Sequence, residues 1–388
     1  MQKKKICLVT NWYPTEENPY QGLFFREQAI ALADYYDFIV LHYEYGYSRR
    51  REIVELTYVK SEYNITEYKA SICFSSINKW IRRIFLGKND YKELLFGRIC
   101  EQLRKDNIDI FYSISGQTEA ALTARYANYF NKPYVISEHG PFPWVGTLIT
   151  EDNKDSIEKA NLFLAISNDK VRQILMQGIK LPRTRYVGNM VDEEMFTYKD
   201  SGNEIKTFIA VGANVFYKNY RMLIDTFNRL TSITDVPFRL IVVGYQANKG
   251  YSQDSKELEE MFRSSSFREN ITLIPNVPHD KMPELYAKAD AFVMTSIQEG
   301  QPVSAIEAAC CGLPIFATRC GGVEDYTDDS IGRIVGITDA DDLAMHLKDY
   351  LEGRISFDSE HIRNTVCERF GKKAFVRNMV DAFDGNGD

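Results

Sequence analysis

Short apolar segments, rich in β-branched and aromatic residues, alternate with helical stretches along the whole chain. Most of these segments are continuously apolar, which is typical of strands that are covered on both faces of a sheet. Regular alternation of strand and helix predicts an α/β fold in which helices wrap parallel sheets. The predicted strands are Ile6–Val9, Phe38–His42, Ile108–Tyr112, Tyr134–Ser137, Leu162–Ile166, Thr207–Val211, Leu240–Val243, Ile271–Ile274, Ala291–Met294 and Pro314–Ala317.

The length of 388 residues indicates two domains, because domains usually contain about 100 to 200 residues. A polar stretch at residues 198–204 separates the first five strands from the last five. We therefore expect two Rossmann-like domains that face each other across a cleft, with ligands outside the carboxyl ends of the strands. The expected divisions are 1–195, 196–370 and a final helix and tail, 371–388, that packs back toward the first domain.

Cysteine usage and hydropathy favour a cytoplasmic protein. The seven cysteines include no Cys-x-x-Cys pair, which argues against a disulfide framework and against a zinc site. The apolar run behind Lys3–Lys5 ends at Thr10, too early for a secretory signal. No apolar stretch approaches the roughly 18 to 20 residues that span a bilayer.

Charge is unevenly distributed along the chain. Residues 1–190 carry 26 basic and 22 acidic side chains, whereas the remaining residues carry 21 basic and 32 acidic ones. Basic clusters lie at 3–5, 49–51 and 79–88, and the last also contains Trp, Ile, Phe and Leu. Such a mixture can contact anionic lipid head groups, although a solvated amphipathic helix is the more common explanation and is favoured.

The most informative segment runs from Ser296 to Pro314. It follows a predicted strand, and Pro302 stands where the first turn of a helix tolerates a missing N–H. Gly312 is placed to end that helix. The amino terminus of a helix exposes unpaired N–H groups and a partial positive charge, which suit a diphosphate.

Two glutamates, Glu299 in the turn and Glu307 on the helix, are candidates for ligand binding. Glu307 is surrounded by small and apolar residues, where a carboxylate is costly to bury unless it accepts hydrogen bonds. The vicinal hydroxyls of a ribose would donate them. A helix cap or a buried ion pair explains the residue equally well at this point.

This Glu-x7-Glu segment resembles the donor-binding signature of glycosyltransferase family 4, which has the GT-B fold. The resemblance implies that Glu299 contacts the donor sugar and that Glu307 binds the nucleotide ribose. It also implies that the backbone between them holds sugar and phosphate, at Gly300, Gln301, Pro302 and Val303.

Other segments resemble the same family in the same order along the chain, from about residue 6 to residue 370. The loop Val211–Asn219 is similar to the one whose lysine neutralises the diphosphate, so Lys218 is the expected cation, with Gly212 and Asn219 beside the donor. Many members carry an arginine where this chain has Ala213.

Four further positions are assigned by the resemblance. Gly322 belongs to a Gly-Gly turn near the donor, and Val277 lies where backbone reads the nucleobase. In the first domain, His139 is expected to hold the donor sugar or the transition state. Gly22 lets backbone approach the phosphate or the acceptor.

The resemblance implies a retaining glycosyltransferase that moves a hexose from a UDP- or GDP-sugar to a glycan or lipid-linked saccharide. Bacterial capsule, lipopolysaccharide or exopolysaccharide is the expected product, with peripheral contact at the inner membrane surface. We expect no nucleic acid partner and no cofactor. We also expect no metal, because Asp339-Ala340-Asp341 is placed to cap a helix rather than to bind Mg²⁺.

Two alternatives remain open from the sequence. Nucleotide-sugar 2-epimerases share the GT-B fold, and a non-catalytic nucleotide-sugar-binding subunit would keep the same motifs. The chain contains no Walker loop, no Gly-x-Gly-x-x-Gly and no His-Glu-x-x-His, which argues against an NTPase, a dehydrogenase and a metalloprotease.

Overall fold

The computed structural model describes residues 3–15, 21–48, 53–75, 90–140, 149–246 and 255–385. Within these residues the chain forms an eight-stranded sheet in its first half and a six-stranded sheet in its second half. The two basic clusters at 49–51 and 79–88 lie outside the described residues. Among the described helices, none combines the length and apolar content that a bilayer crossing requires.

The eight-stranded sheet has the order β3-β4-β2-β1-β5-β6-β7-β8, and its neighbours are parallel except for the antiparallel pair β3 and β4. The strands are β1 (Lys4–Thr10), β2 (Tyr36–Ser48), β3 (Ile53–Glu62), β4 (Ile65–Ser75), β5 (Ile110–Ser113), β6 (Tyr134–Ser137), β7 (Leu162–Ala165) and β8 (Thr184–Tyr186). The helices of this half are α1 (Leu23–Leu32), α2 (Asp90–Asp106), α3 (Ala120–Phe130), α4 (Glu151–Glu158) and α5 (Asn168–Met176).

The hairpin of β3 and β4 at the sheet edge was not predicted. Its two turn residues, Tyr63 and Asn64, have φ values of 53° and 59°. Positive φ at both positions defines the two-residue turn whose twist matches that of antiparallel strands. The N-terminal sheet is therefore mixed, whereas the expectation was a purely parallel sheet.

The second sheet is parallel throughout, in the order β11-β10-β9-β12-β13-β14. Its strands are β9 (Thr207–Val211), β10 (Arg239–Val243), β11 (Ile271–Ile274), β12 (Ala291–Met294), β13 (Ile315–Thr318) and β14 (Gly332–Val335). The accompanying helices are α6 (Tyr220–Ile233), α7 (Ser255–Arg263), α8 (Met282–Tyr286), α9 (Val303–Cys310), α10 (Ala340–Leu351), α11 (Ser359–Phe370) and α12 (Lys372–Asp384). Single 3-10 turns lie at Phe216–Lys218, Arg268–Asn270 and His279–Lys281.

Both sheets are covered by apolar side chains on both faces, as the continuous apolar strands predicted. In β1, Cys7 and Val9 point into one core, while Ile6 and Leu8 point into the other. Successive side chains of a strand alternate between faces, so a strand with two buried faces needs an unbroken apolar sequence.

The chain returns to its first half at the end. Gly371 separates α11 from α12, and the β-bridge between Val191 and Gly371 ties this turn to the segment that connects the two sheets. Helix α12 then buries Phe375 and Phe383 in the core that contains β1.

Phe383 lies edge-on against Tyr36 and Tyr112, with ring centroids 5.5 and 5.6 Å apart. We expect Phe383→Ala to lower the free energy of unfolding by about 3–5 kcal/mol, because it removes a buried ring and leaves a cavity. Leu175→Ala, at a side chain that is 52% exposed, should change it by less than about 0.5 kcal/mol. Urea denaturation measures both. Equal stability of the two variants would show that α12 does not hold the first domain.

Candidate functional site

Helix α9 begins directly outside the carboxyl end of β12. Pro302 is its N-cap residue, and no side chain caps the helix. The first N–H groups of α9 therefore remain available to a ligand, and the helix dipole places partial positive charge there. The helix ends as predicted, since Gly312 follows it with φ +80°.

Lys218 and Glu299 form an ion pair beside this helix terminus. The Lys218 Nζ lies 2.6 Å from Glu299 Oε1, and the same oxygen accepts a 2.7 Å hydrogen bond from Ser296 Oγ. Burial alone would lower the pKa of Lys218, but the neighbouring Glu299 carboxylate raises it above the usual lysine value. The lysine is therefore a fixed cation at neutral pH.

Gly212 makes room for the lysine chain. A Cβ at this position would lie 3.2 Å from the Lys218 side-chain carbons, which is closer than most real contacts. Asn219 has φ 51° and starts helix α6, and its carbonyl accepts a 3.1 Å bond from Thr295 Oγ1. Thr295 precedes Ser296, so Asn219 supports the loop that holds the ion pair.

Glu307 is only 5% exposed, and both of its carboxylate oxygens are engaged. Tyr286 donates its hydroxyl to Oε2 over 2.9 Å, and His279 Nε2 lies 2.7 Å from Oε1. Burial and the Glu307 charge together raise the pKa of Tyr286, which keeps the phenol a neutral donor. Val277, two residues before His279, packs against the apolar core that contains Tyr286.

His139 lies at the carboxyl end of β6 and faces α9 from the first domain. Its ring nitrogens lie 3.0 Å from Asn189 Oδ1 and 3.0 Å from Ser137 Oγ. Burial lowers the pKa of His139 to about 3, so the imidazole is neutral. The Phe25 ring packs edge-on at 4.8 Å, and Phe25 belongs to the helix that Gly22 begins.

A hydrogen-bond chain continues from His139 into the second domain. Asn189 donates its side-chain amide to the Gln301 carbonyl over 2.9 Å, and its backbone N–H bonds the Gln301 side chain. His139 is thereby connected through Asn189 to the residue that precedes Pro302.

Glycines let the two domains approach at this point. A Cβ on Gly300 would lie 2.8 Å from the His139 carbonyl oxygen, and one on Gly322 would lie 2.4 Å from the Gly300 carbonyl oxygen. Gly321 and Gly322 have φ values of +100° and +70°, which L side chains rarely adopt.

Gly22 allows a close backbone approach within the first domain. It has φ +64°, and a Cβ at this position would lie 2.4 Å from the Trp12 carbonyl oxygen.

The structure brings most of the predicted site residues together. Lys218, Glu299, Gly300 and the start of α9 form one group, and His139 faces it from the other domain. Val277 and Gly22 lie at the periphery of this group. Near Val277, His279 contacts Glu307. Near Gly22, Phe25 contacts His139.

Two residues of the site were not predicted. His279 joins Glu307 to the first domain, because its Nδ1 lies 3.3 Å from Glu27 Oε1 on α1. Lys170 is fully buried on α5 and donates its Nζ to the Gly140 carbonyl and, over 2.9 Å, to Gln173. Burial lowers the pKa of Lys170 to about 8. Their only sequence signal was position after a predicted strand.

Within the described residues, no group of three or more His, Cys, Asp or Glu side chains is placed to hold a metal ion. Asp339 caps α10 by accepting from the Asp342 backbone N–H, which confirms the predicted role of the Asp-x-Asp segment. Six of the cysteines are free thiols: Cys7, Cys100, Cys310, Cys311, Cys320 and Cys367.

Two Rossmann-like domains joined across such a cleft define the GT-B fold. The structure of Anabaena HepE in complex with UDP superposes on 98% of this chain and 100% of its own length, with a TM-score of 0.74 and 14% sequence identity. The predicted fold is thereby confirmed.

Residues 192–374 match the family model for glycosyl transferases group 1. A phosphatidylinositol N-acetylglucosaminyltransferase subunit of Arabidopsis thaliana is 23% identical over 69% of this chain. The O-antigen chain mannosyltransferase B of Escherichia coli is 27% identical over 35% of this chain. The chain spans 58% and 34% of these two relatives.

The buried neutral state of His139 has a consequence for stability. The pKa falls from 6.5 to about 3 on folding, so below pH 6.5 the unfolded chain takes up a proton that the folded chain excludes. We expect wild type to lose about 1.4 kcal/mol relative to His139→Gln between pH 7.5 and pH 5.5. Urea denaturation at both values measures this difference. Parallel pH dependence in the two proteins would mean that folding does not lower the pKa of His139.

Proposed function

We propose that this protein is a retaining glycosyltransferase that moves a hexose from a nucleoside diphosphate sugar to a saccharide acceptor. The observation that carries the proposal is the buried Lys218–Glu299 pair at the uncapped start of α9, with Glu307 further along the same helix. The cation at the helix terminus suits the diphosphate of such a donor, while Glu299 suits the sugar and Glu307 suits the ribose.

In the proposed complex, the diphosphate lies on the N–H groups of Val303 and Ser304 and is neutralised by Lys218. Glu299 accepts hydrogen bonds from the sugar hydroxyls. Negative charge that develops on the departing phosphate is stabilised by dipoles and a cation already in place, and preorganised electrostatics of this kind usually contributes most to catalysis. Lys218 must then exchange part of its contact with Glu299 for the phosphate.

His139 is proposed to contact the sugar from the opposite domain. Because its ring is neutral, it acts as a hydrogen-bond partner rather than as a cation, and one ring nitrogen exchanges its present partner, Ser137 or Asn189, for a sugar hydroxyl. Ser137 and Asn189 fix the orientation of the ring. The departing phosphate oxygen is proposed to accept the proton of the acceptor hydroxyl, so the transfer needs no separate protein base.

The acceptor is proposed to be a glycan or lipid-linked saccharide in bacterial surface polysaccharide assembly, on the cytoplasmic face of the inner membrane. Similarity to an O-antigen mannosyltransferase supports this class of acceptor. The excess of basic residues in the first 190 positions supports contact with an anionic membrane surface.

A panel of UDP-, GDP- and ADP-sugars tests the donor. We expect one nucleotide class to raise the melting temperature, since a ligand at 100 times its Kd stabilises the folded chain by about 2.7 kcal/mol. We propose that transfer needs no metal, so EDTA should leave the shift and the turnover unchanged. No shift with any nucleotide sugar would contradict the proposal. An epimerised sugar formed without acceptor would indicate a 2-epimerase, and binding without transfer would indicate a non-catalytic subunit.

Glu299→Gln and Glu307→Ala separate the two proposed carboxylate roles. We expect Glu299→Gln to retain nucleotide binding and lose about 100- to 1,000-fold in kcat, because it removes a charge at the reacting centre. Glu307→Ala should weaken nucleotide affinity about tenfold or more, because hydrogen bonds to a buried carboxylate are lost. Calorimetry measures nucleotide affinity, and the rate of product formation gives kcat. NMR of the product reports the anomeric configuration.

Glu368 is exposed on α11, so Glu368→Gln is the matched control for loss of a carboxylate charge. It should leave nucleotide affinity and kcat unchanged. A Glu299→Gln enzyme with a near-normal rate would remove Glu299 from the mechanism. A product of inverted configuration would refute the retaining assignment.

A further inference from the structure

One histidine connects the two domains at the nucleoside end of the cleft. His279 lies in the 3-10 turn that follows β11. Its Nε2 is 2.7 Å from Glu307 Oε1 on α9, and its Nδ1 is 3.3 Å from Glu27 Oε1 on α1. Glu27 belongs to the first domain, so three side chains from three separate elements form a continuous path across the cleft.

His279 carries a positive charge in this arrangement. Burial alone would lower its pKa, but the hydrogen bonds and charges of Glu27 and Glu307 raise it to about 10. Both ring nitrogens of an imidazolium are donors, which matches one carboxylate on each side. The Phe196 ring, 5.4 Å away, is the aromatic neighbour.

The Glu307 carboxylate retains capacity for a ligand while this bridge is intact. A carboxylate has about four lone-pair positions on its two oxygens. His279 occupies one position on Oε1, and Tyr286 occupies one on Oε2. The two remaining positions suit the two vicinal hydroxyls of a ribose, so the donor does not have to displace the histidine.

We propose that His279 is a positioning residue for nucleotide binding, which aims the Glu307 carboxylate and fastens it to Glu27 of the opposite domain. The inference rests on the proposed function, because it assumes that Glu307 receives the nucleotide. Its distinctive consequence is that Glu27, which reaches Glu307 only through His279 among the described contacts, contributes to nucleotide affinity. The two domains are then held together where the nucleoside binds.

The experiment compares wild type, His279→Gln, Glu27→Gln and the double variant by calorimetry with UDP, GDP and ADP. Glutamine can still donate or accept one hydrogen bond at either position, so each variant removes charge rather than packing. We expect each single variant to weaken binding of the preferred nucleotide about five- to tenfold. The double variant should be no weaker than the poorer single variant, because either change breaks the same bridge.

The pH dependence of binding separates this role from a purely structural one. In wild type, His279 stays protonated between pH 6 and pH 9, so its contribution to affinity should be constant there. Glu27→Gln removes one of the two charges that raise the histidine pKa. In this variant affinity should fall as pH rises from 6 to 9, because deprotonation then occurs within the range.

His346→Gln is the matched control. His346 forms a 3.6 Å pair with Asp342 on α10, a helix that packs on α6, and its loss should not change affinity. Unchanged nucleotide affinity in Glu27→Gln, or strictly additive single effects, would overturn the inference. If wild type binds none of the three nucleotides, the proposed function itself fails, and the two failures are thus distinct.

Discussion

The architecture depends on close contact between the carboxyl ends of the parallel strands in the two sheets. Backbone from one domain meets backbone from the other at Gly300, where any side chain would collide with the His139 carbonyl. Ser167 then donates its hydroxyl to the Gly300 carbonyl over 2.7 Å. Because parallel strands of a sheet all end at the same edge, this contact lies where the loops of both sheets meet.

Close approach also explains why the site can hold charge away from water. Lys218 and Glu299 are both nearly buried, and breaking a buried pair by removing one partner typically costs about 3–5 kcal/mol. The buried carboxylate of Glu299 is stabilised because Ser296 and Lys218 both donate hydrogen bonds to its Oε1. A ligand with its own negative charge can replace the carboxylate as the partner of Lys218, so the pair preorganises a cation for an incoming diphosphate.

Much of the fold and the arrangement of the loop and helix from Ser296 to Gly312 could be predicted from the sequence. Continuous apolar segments indicate the strands, and Pro302 and Gly312 indicate the start and the end of α9, because these signals depend on the local sequence alone. The observed strands and helix follow them closely. The hairpin at Tyr63 and Asn64 was missed because its strands lie at the edge of the sheet and mix polar with apolar residues, so they lack the continuous apolar segments that indicated the other strands. His279 and Lys170 were missed because their roles arise from partners that are distant in sequence, such as Glu27, and no local pattern records such pairs.

The two histidines at the cleft are both partly exposed, yet they have opposite charge states. The hydrogen-bond partners of His139, Ser137 and Asn189, are neutral, so desolvation dominates and the pKa falls, and the charge of Lys170 lowers it further. His279 has a carboxylate on each side, so its charge is stabilised despite partial burial and the pKa rises. The neutral ring therefore lies where the sugar is proposed to bind, and the cationic ring links the domains beside the proposed ribose position. Partner identity, rather than depth of burial, decides which histidine can bridge two acidic groups.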